Sequence, residues 1–186
     1  ADNKILYTYD ALGRISSKIF SVSGMTHQIN YTFIDGDHGT DSTTALVQTI
    51  SQGGQNFNYN YDKLGNVISE QKGAMTISYE YNALGHLIRV NDPYQGKTWT
   101  YTYDRGGNIQ TKSCFPYSTE QSISDIERII NYSYNDENWK DKLTSYDGQL
   151  ILYDAIGNPI SYDGWTYAWE DGRKLIEMRR EGTVAH

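Results

Sequence analysis

One nine-residue pattern returns along this chain, and it limits the possible fold more than any other feature. Tyr7-Thr8-Tyr9-Asp10-Ala11-Leu12-Gly13-Arg14-Ile15 recurs as Tyr59-Asn60-Tyr61-Asp62-Lys63-Leu64-Gly65-Asn66-Val67. It returns as Tyr79-Glu80-Tyr81-Asn82-Ala83-Leu84-Gly85-His86-Leu87, and again as Tyr101-Thr102-Tyr103-Asp104-Arg105-Gly106-Gly107-Asn108-Ile109. Partial copies follow. Tyr132-Ser133-Tyr134-Asn135 keeps the front half, and Leu152-Tyr153-Asp154-Ala155-Ile156-Gly157-Asn158-Pro159-Ile160 keeps the back half. Tyr167-Ala168-Trp169-Glu170-Asp171-Gly172-Arg173 has a shortened turn, and Tyr31-Thr32-Phe33 opens a degenerate copy. The clean copies start at residues 59, 79 and 101, intervals of 20 and 22 residues. A fixed period in this range is the signature of a stacked-repeat architecture.

Each copy reads as a β-hairpin. Tyr at i and i+2 with a polar residue between them puts both rings on one face of a strand. That rule gives an aromatic ladder of Tyr7, Tyr9, Tyr59, Tyr61, Tyr79, Tyr81, Tyr101 and Tyr103. The next residue is Asp10, Asp62, Asn82, Asp104 or Asp154, whose side chain can cap turn amides. Three residues later stands Gly13, Gly65, Gly85, Gly107 or Gly157, which can take the positive φ that closes a type I turn with a bulge. An aliphatic residue then starts the return strand. Acids repeated in every copy occupy like environments, so they read as turn caps; tuned acid–base pairs need unlike ones.

The rest of the chain is rich in turns, as at Asp35-Gly36-Asp37-His38-Gly39, Gln52-Gly53-Gly54 and Asn91-Asp92-Pro93. One stretch differs. Ile123, Ile126, Ile129 and Ile130 fall at helical spacing behind Ser122 or Ser124, which predicts a helix over 122–130. A long strand connection is the alternative.

Composition fits a thin, half-wet core. Leu, Ile, Val and Phe together make 37 of 186 residues, near the boundary of about 20% below which highly charged chains stay disordered. Seventeen Tyr and four Trp offset this, and each Tyr hydroxyl requires water or a partner. The net charge of −7 argues against nucleic acid as a partner. No run of about 18 apolar residues is present, so no membrane insertion is expected. Neither a signal peptide nor an initiating Met is visible, and the chain reads as a piece of a longer one. A single Cys, Cys114, excludes a disulfide framework and a Cys-rich zinc site.

These residues resemble the YD (RHS) repeat family, whose pattern is Tyr-x-Tyr-Asp-x-x-Gly-Asn/Arg-aliphatic at about this period. The run from Leu143 through Tyr153-Asp154-Ala155-Ile156-Gly157-Asn158 to Gly172-Arg173 is similar to the last repeats of Gram-positive wall-associated RHS polymorphic-toxin proteins. The resemblance implies an all-β fold: tandem hairpins forming a curved, spiralling antiparallel sheet, a segment of a hollow shell. It implies one repeat segment over 1–186, of about seven to nine hairpins, with no separate second domain. It implies a secreted or cell-wall-associated protein whose shell encloses a C-terminal toxin. The partners are then the neighbouring repeats and that toxin domain. The alternative is an adhesion module binding carbohydrate or a cell surface. The core motif and toxin domain expected after the repeats do not occur in this sequence, so the chain is expected to be shell wall.

No enzymatic site is expected. Cys114 has no nearby His, and no Gly-x-Ser-x-Gly elbow occurs. The oxygens of Asp35-Gly36-Asp37-His38-Gly39-Thr40-Asp41 lack the distal Glu of a calcium loop, so an insertion loop without metal is expected. No cofactor is expected. Aromatic platforms are the remaining option for a ligand. Trp99, Trp139, Trp165 and Trp169 are the candidate contacts, because they fall off the repeated Tyr slots or replace one.

Overall fold

The computed structural model describes residues 3–36, 39–180 and 183–185, with residues 39–41 and 183–185 as backbone alone. The candidate metal loop at 35–41 lies largely outside the described residues. Eighteen strands are described: β1 Lys4–Tyr9, β2 Ile15–Val22, β3 Met25–Gly36, β4 Gly39–Gln52, β5 Gln55–Tyr61 and β6 Val67–Lys72. Then come β7 Met75–Tyr81, β8 Leu87–Asp92, β9 Lys97–Tyr103, β10 Ile109–Pro116, β11 Arg128–Ser133 and β12 Ser145–Tyr146. The last are β13 Gln149–Leu150, β14 Leu152–Tyr153, β15 Pro159–Tyr162, β16 Trp165–Glu170, β17 Lys174–Arg180 and β18 Thr183–Ala185. The protein is all-β and antiparallel, and its strands pair in the order in which the chain makes them.

Two compact units divide the chain, and both are built from the same hairpins. The first comprises Ala1–Thr98 with Tyr117–Gln121, the second Trp99–Pro116 with Ser122–His186. In the first, β1 to β8 follow one another as neighbours. The second holds β10 to β13 in sequence order and a separate five-stranded sheet of β14 to β18.

Alternation gives the sheet of the first unit two different faces. One carries the Tyr pairs. The other carries cross-strand rows of uncharged polar side chains. Thr8, Ser17, Asn30, Ser51 and Asn56 form one row. Thr32, Thr49, Asn58, Gln71 and Thr76 form the next. Neighbours in these rows bond to each other, as Thr8 to Ser17 at 2.7 Å and Thr49 to Asn58 at 2.9 Å. Such pairs hold a sheet together at about 0.2–1 kcal/mol each.

The hairpins close alternately at two kinds of turn. At one end lies the Asp–Gly turn of the repeat. At the other, short turns put both central residues at positive φ, as at Ser23-Gly24 and Asp163-Gly164. That twist matches the strands it joins.

Few apolar side chains are deeply buried. Among the described residues these are Cys114, Phe115 and Ile130. Ser17, Arg89, Asn91, Asp92, Thr98, Ser113 and Asn158 are buried polar residues, and no buried side-chain N or O among the described residues lacks a hydrogen-bond partner. Cohesion in this fold therefore rests heavily on satisfied polar contacts, which are costly to break.

The helix expected over 122–130 does not form. Residues 117–127 run as an irregular connection, and β11 starts at Arg128. Asp125 has a φ of +65°, which interrupts any helical run. Ile129 and Ile130 alternate instead of sharing a face, one 42% exposed and the other 6%. The β-branched residues join a strand, where cross-strand partners are available. The long strand connection is what the chain adopts.

Candidate functional site: the interlock between hairpins

The repeated Asp builds its turn with both carboxylate oxygens. In the copy at residues 59–67, Asp62 Oδ1 accepts the amides of Leu64 and Asn66, each at 2.9 Å. Its Oδ2 accepts the Asn66 side-chain amide at 2.8 Å. The Gly65 amide donates to the Asp62 carbonyl at 3.1 Å, and the Asp62 amide donates to the Asn66 carbonyl at 2.9 Å. Asp10, Asp104 and Asp154 repeat these contacts with Arg14, Asn108 and Asn158. Asn82 accepts the two amides of Leu84 and His86 at 3.0 Å without a charge. The Asn108 side-chain amide holds the Asp104 carboxyl below its usual range, aided by backbone amides. Asn66 does the same to Asp62, against the opposing effect of partial desolvation.

The glycines close these turns at φ of +78° at Gly13, +86° at Gly65, +78° at Gly85, +90° at Gly107 and +87° at Gly157. Immediately after the turn the register slips by one residue. Tyr9 then faces Ile15, Tyr61 faces Val67, Tyr81 faces Leu87, Tyr153 faces Pro159, and Trp169 faces Leu175. The same slip pairs Phe33 with Val47, which completes the degenerate copy across residues 34–46.

That aliphatic residue carries the link between copies. The Tyr61 hydroxyl donates to the Val47 carbonyl at 2.7 Å, and Tyr81 donates to Val67 at 2.8 Å. Tyr153 donates to Leu143 at 2.6 Å, and the Trp169 indole N–H donates to Pro159 at 2.7 Å. In each case the second aromatic of one hairpin reaches back to a carbonyl of the hairpin before it, and at Val47, Val67 and Pro159 that carbonyl belongs to the residue at the register shift. A second link runs forward. Arg14 donates to Thr43 Oγ1 at 2.9 Å and to the Thr44 carbonyl, in the enlarged turn of the following copy. Asn158 donates to the Gly172 carbonyl at 2.6 Å, and Asn108 to Asp141 Oδ1 at 3.4 Å.

Ring contacts add to this. Tyr146 meets Tyr132 edge-on at 5.1 Å and Tyr162 at 6.1 Å. Burial raises the pKa of the half-buried Tyr59, Tyr79 and Tyr101 hydroxyls. Tyr7 and Tyr9, on β1, are 42% and 60% exposed.

The four tryptophans each have a partner within the protein. Lys112 stands 4.2 Å over the Trp99 ring, and Arg180 stands 5.7 Å over Trp165. Trp169 fills a repeated aromatic slot and makes its hydrogen bond. Trp139, 47% exposed, lies against the Gly157 turn, where an added Cβ would come within 2.7 Å of its ring. Its loop is held by Asp136, which accepts the amides of Asn138 and Trp139 and pairs with Lys142.

A second polar constellation has no signal in the repeat. Arg89, 7% exposed, donates to Asn91 Oδ1 and to the Ser118 carbonyl, each at 2.8 Å. Thr98, fully buried, donates to the Ser118 carbonyl at 3.1 Å and accepts the Ser118 amide at 3.0 Å. Together they fasten the start of the 117–127 connection to the first unit.

Residues 81–113 match the family model described as RHS Repeat. That stretch carries the RHS repeat. Solved structures agree on the fold. The Photorhabdus luminescens Tc holotoxin pore with a TccC3 mutation superposes at a TM-score of 0.60 and 17% identity over 98% of this chain. The TcdB2-TccC3 crystal structure gives 0.60 at 18% identity, and TcdB2-TccC3-TEV gives 0.54 at 14%, each again over 98% of this chain. This chain spans only 11–13% of the length of those chains. No curated protein matches the sequence.

Proposed function

We propose that these RHS repeats are a wall segment of a larger β-shell that encloses a C-terminal toxin domain of the same polypeptide, in a secreted or cell-wall-associated protein. The role is architectural and non-enzymatic. One observation carries this reading: four hairpins are completed by a donor from the next, through Tyr61 to Val47, Tyr81 to Val67, Tyr153 to Leu143 and Trp169 to Pro159. A unit finished by its neighbour builds an extended wall instead of a self-sufficient domain. The structural likeness to toxin complexes supports the enclosed cargo. On this reading β1, exposed along its whole length, receives a further repeat, because an unpaired edge is a template for another strand.

Limited proteolysis of the full-length protein tests the proposal. The segment following the repeats should resist protease while the shell is folded, and be cut once denaturant opens it. Digestion of that segment at the rate of the isolated domain would overturn the shell reading.

A further inference from the structure

We propose that the uncharged face of the first unit binds an extended stretch of polypeptide by its main chain, beside the place where the structure already holds one. The precedent is internal. Thr98, fully buried, donates its hydroxyl to the Ser118 carbonyl at 3.1 Å and accepts the Ser118 amide at 3.0 Å. Arg89 adds a second donor to the same carbonyl at 2.8 Å. The Ser118 side chain takes no part in the seat, because its hydroxyl accepts the Glu120 amide at 3.1 Å. What is read is the main chain, whose two polar groups every residue except proline carries.

The seat continues outward as a row. Thr98 donates to Asn91 Oδ1 at 3.2 Å, and Asn91 donates to Ser78 Oγ at 3.0 Å. Ser78 stands opposite Ser69, and Ser69 opposite Asn60. Asn58, Gln71 and Thr76 form the next row on the same three strands, β5, β6 and β7. None of these six side chains is charged or apolar, and Asn60, Gln71 and Thr76 are exposed. Amides and hydroxyls each donate and accept, as a main chain with alternating N–H and C=O groups requires. The six thus extend, across the face, the chemistry that Thr98 applies to Ser118.

Addition of a strand at a free edge, a common way for sheets to take up peptides, is closed at this place. Each of β5, β6 and β7 is already paired on both sides. A peptide here lies on the face and meets side chains, as residue 118 does. The two rows give a charged side chain no partner and an apolar one nothing to pack on, so the backbone is what they select. Residues 117–121 and all six row residues belong to the first unit. The contact needs no enclosure, so this proposal stands or falls separately from the shell reading.

The test is an NMR titration of the chain with a short Gly/Ser peptide, a neutral peptide of mixed sequence and an oligoproline of equal length. The first two should give saturable shifts clustered at residues 58–60, 69–71 and 76–78, at similar concentrations. These lie in the millimolar range, because an unstructured segment loses chain entropy as it binds. Oligoproline has no amide donor and should bind about fivefold more weakly or not at all. Asn60→Ala and Thr76→Ala should each weaken the Gly/Ser peptide about fivefold, the size of one hydrogen bond. Both positions are exposed, and an unchanged thermal midpoint checks that the fold is kept. Absence of saturable shifts with both amide-bearing peptides overturns the proposal. So do equal binding of oligoproline, affinity indifferent to both alanine variants, or shifts centred elsewhere, including shifts confined to residues 117–121.

Discussion

Trp169 donates its indole N–H to the Pro159 carbonyl at 2.7 Å, the bond that Tyr81 makes to Val67 with a hydroxyl. Two different aromatic residues thus serve one slot, because the slot requires a flat ring with a donor at its far end. Trp169→Phe should lower unfolding stability by about 1 kcal/mol, the usual size of one neutral hydrogen bond. Trp169→Tyr should recover part of it. Urea unfolding of the two variants, followed by circular dichroism, checks the order.

Gly157 and Gly13 share a backbone conformation but not a neighbourhood. At Gly157 an added Cβ meets the Trp139 ring at 2.7 Å, whereas at Gly13 nothing lies within 4 Å. Gly13→Ala should cost about 1–2 kcal/mol, the strain of a left-handed conformation alone. Gly157→Ala should cost more and expose Trp139, seen as a red shift of tryptophan emission. Gly65→Val should cost on the order of 1–3 kcal/mol.

Acid should loosen the turns over a defined range. Pairing with Lys142 and the amides of Trp139 and Asn138 lowers the Asp136 carboxyl from 3.8 to about 2. Asp62 and Asp104 are lowered as well. A carboxyl held low in the folded state stabilises it above the unfolded value and ceases to do so as pH falls through the folded one. The contribution of Asp136 is therefore complete above about pH 4 and lost towards pH 2. Asp136→Asn should flatten this part of the stability–pH curve, measured by thermal melts at stepped pH. Asp62→Asn should be mild, because Asn82 already holds the same turn, while Asp62→Ala should lower the thermal midpoint further, since it removes every side-chain acceptor of that turn.

Arg89→Met should free the connection before β11. Removing the guanidinium leaves Asn91 Oδ1 without its Arg89 donor and the Ser118 carbonyl with only the Thr98 hydroxyl as a side-chain donor. A loss of about 1–3 kcal/mol follows. Hydrogen exchange at residues 117–121 should accelerate more than in β5 or β6. Uniform acceleration across the first unit would mean that Arg89 supports the whole sheet.

Much of this was legible in the amino acids. Tyr-x-Tyr-Asp followed by Gly encodes a strand, a capped turn and a return strand, because each residue type has one conformational use there. The interlock was less legible. Its acceptor is a backbone carbonyl, at Val47, Val67, Leu143 or Pro159, and a carbonyl leaves no mark in the sequence. The copy made by Phe33 and Val47 was hidden because residues 34–46 separate its halves. Arg89 and Thr98 gave no signal, since their partner is the main chain of Ser118. The isoleucines of 123–130 misled, because their spacing suits a helix while their branching suits the strand that β11 became.

The gap between Phe33 and Val47 carries a wider lesson about what this scaffold can host. The Tyr61 hydroxyl finds the Val47 carbonyl although residues 34–46 stand where residues 62–66 suffice in the next copy. Tyr153 likewise finds Leu143 beyond the 135–142 loop. For that bond only the two residues flanking a tip need be kept, so at these two enlarged tips what lies between them has been lengthened without losing it. Foreign sequences spliced at the tips of intact copies should be tolerated as cargo on a rail whose gauge never changes.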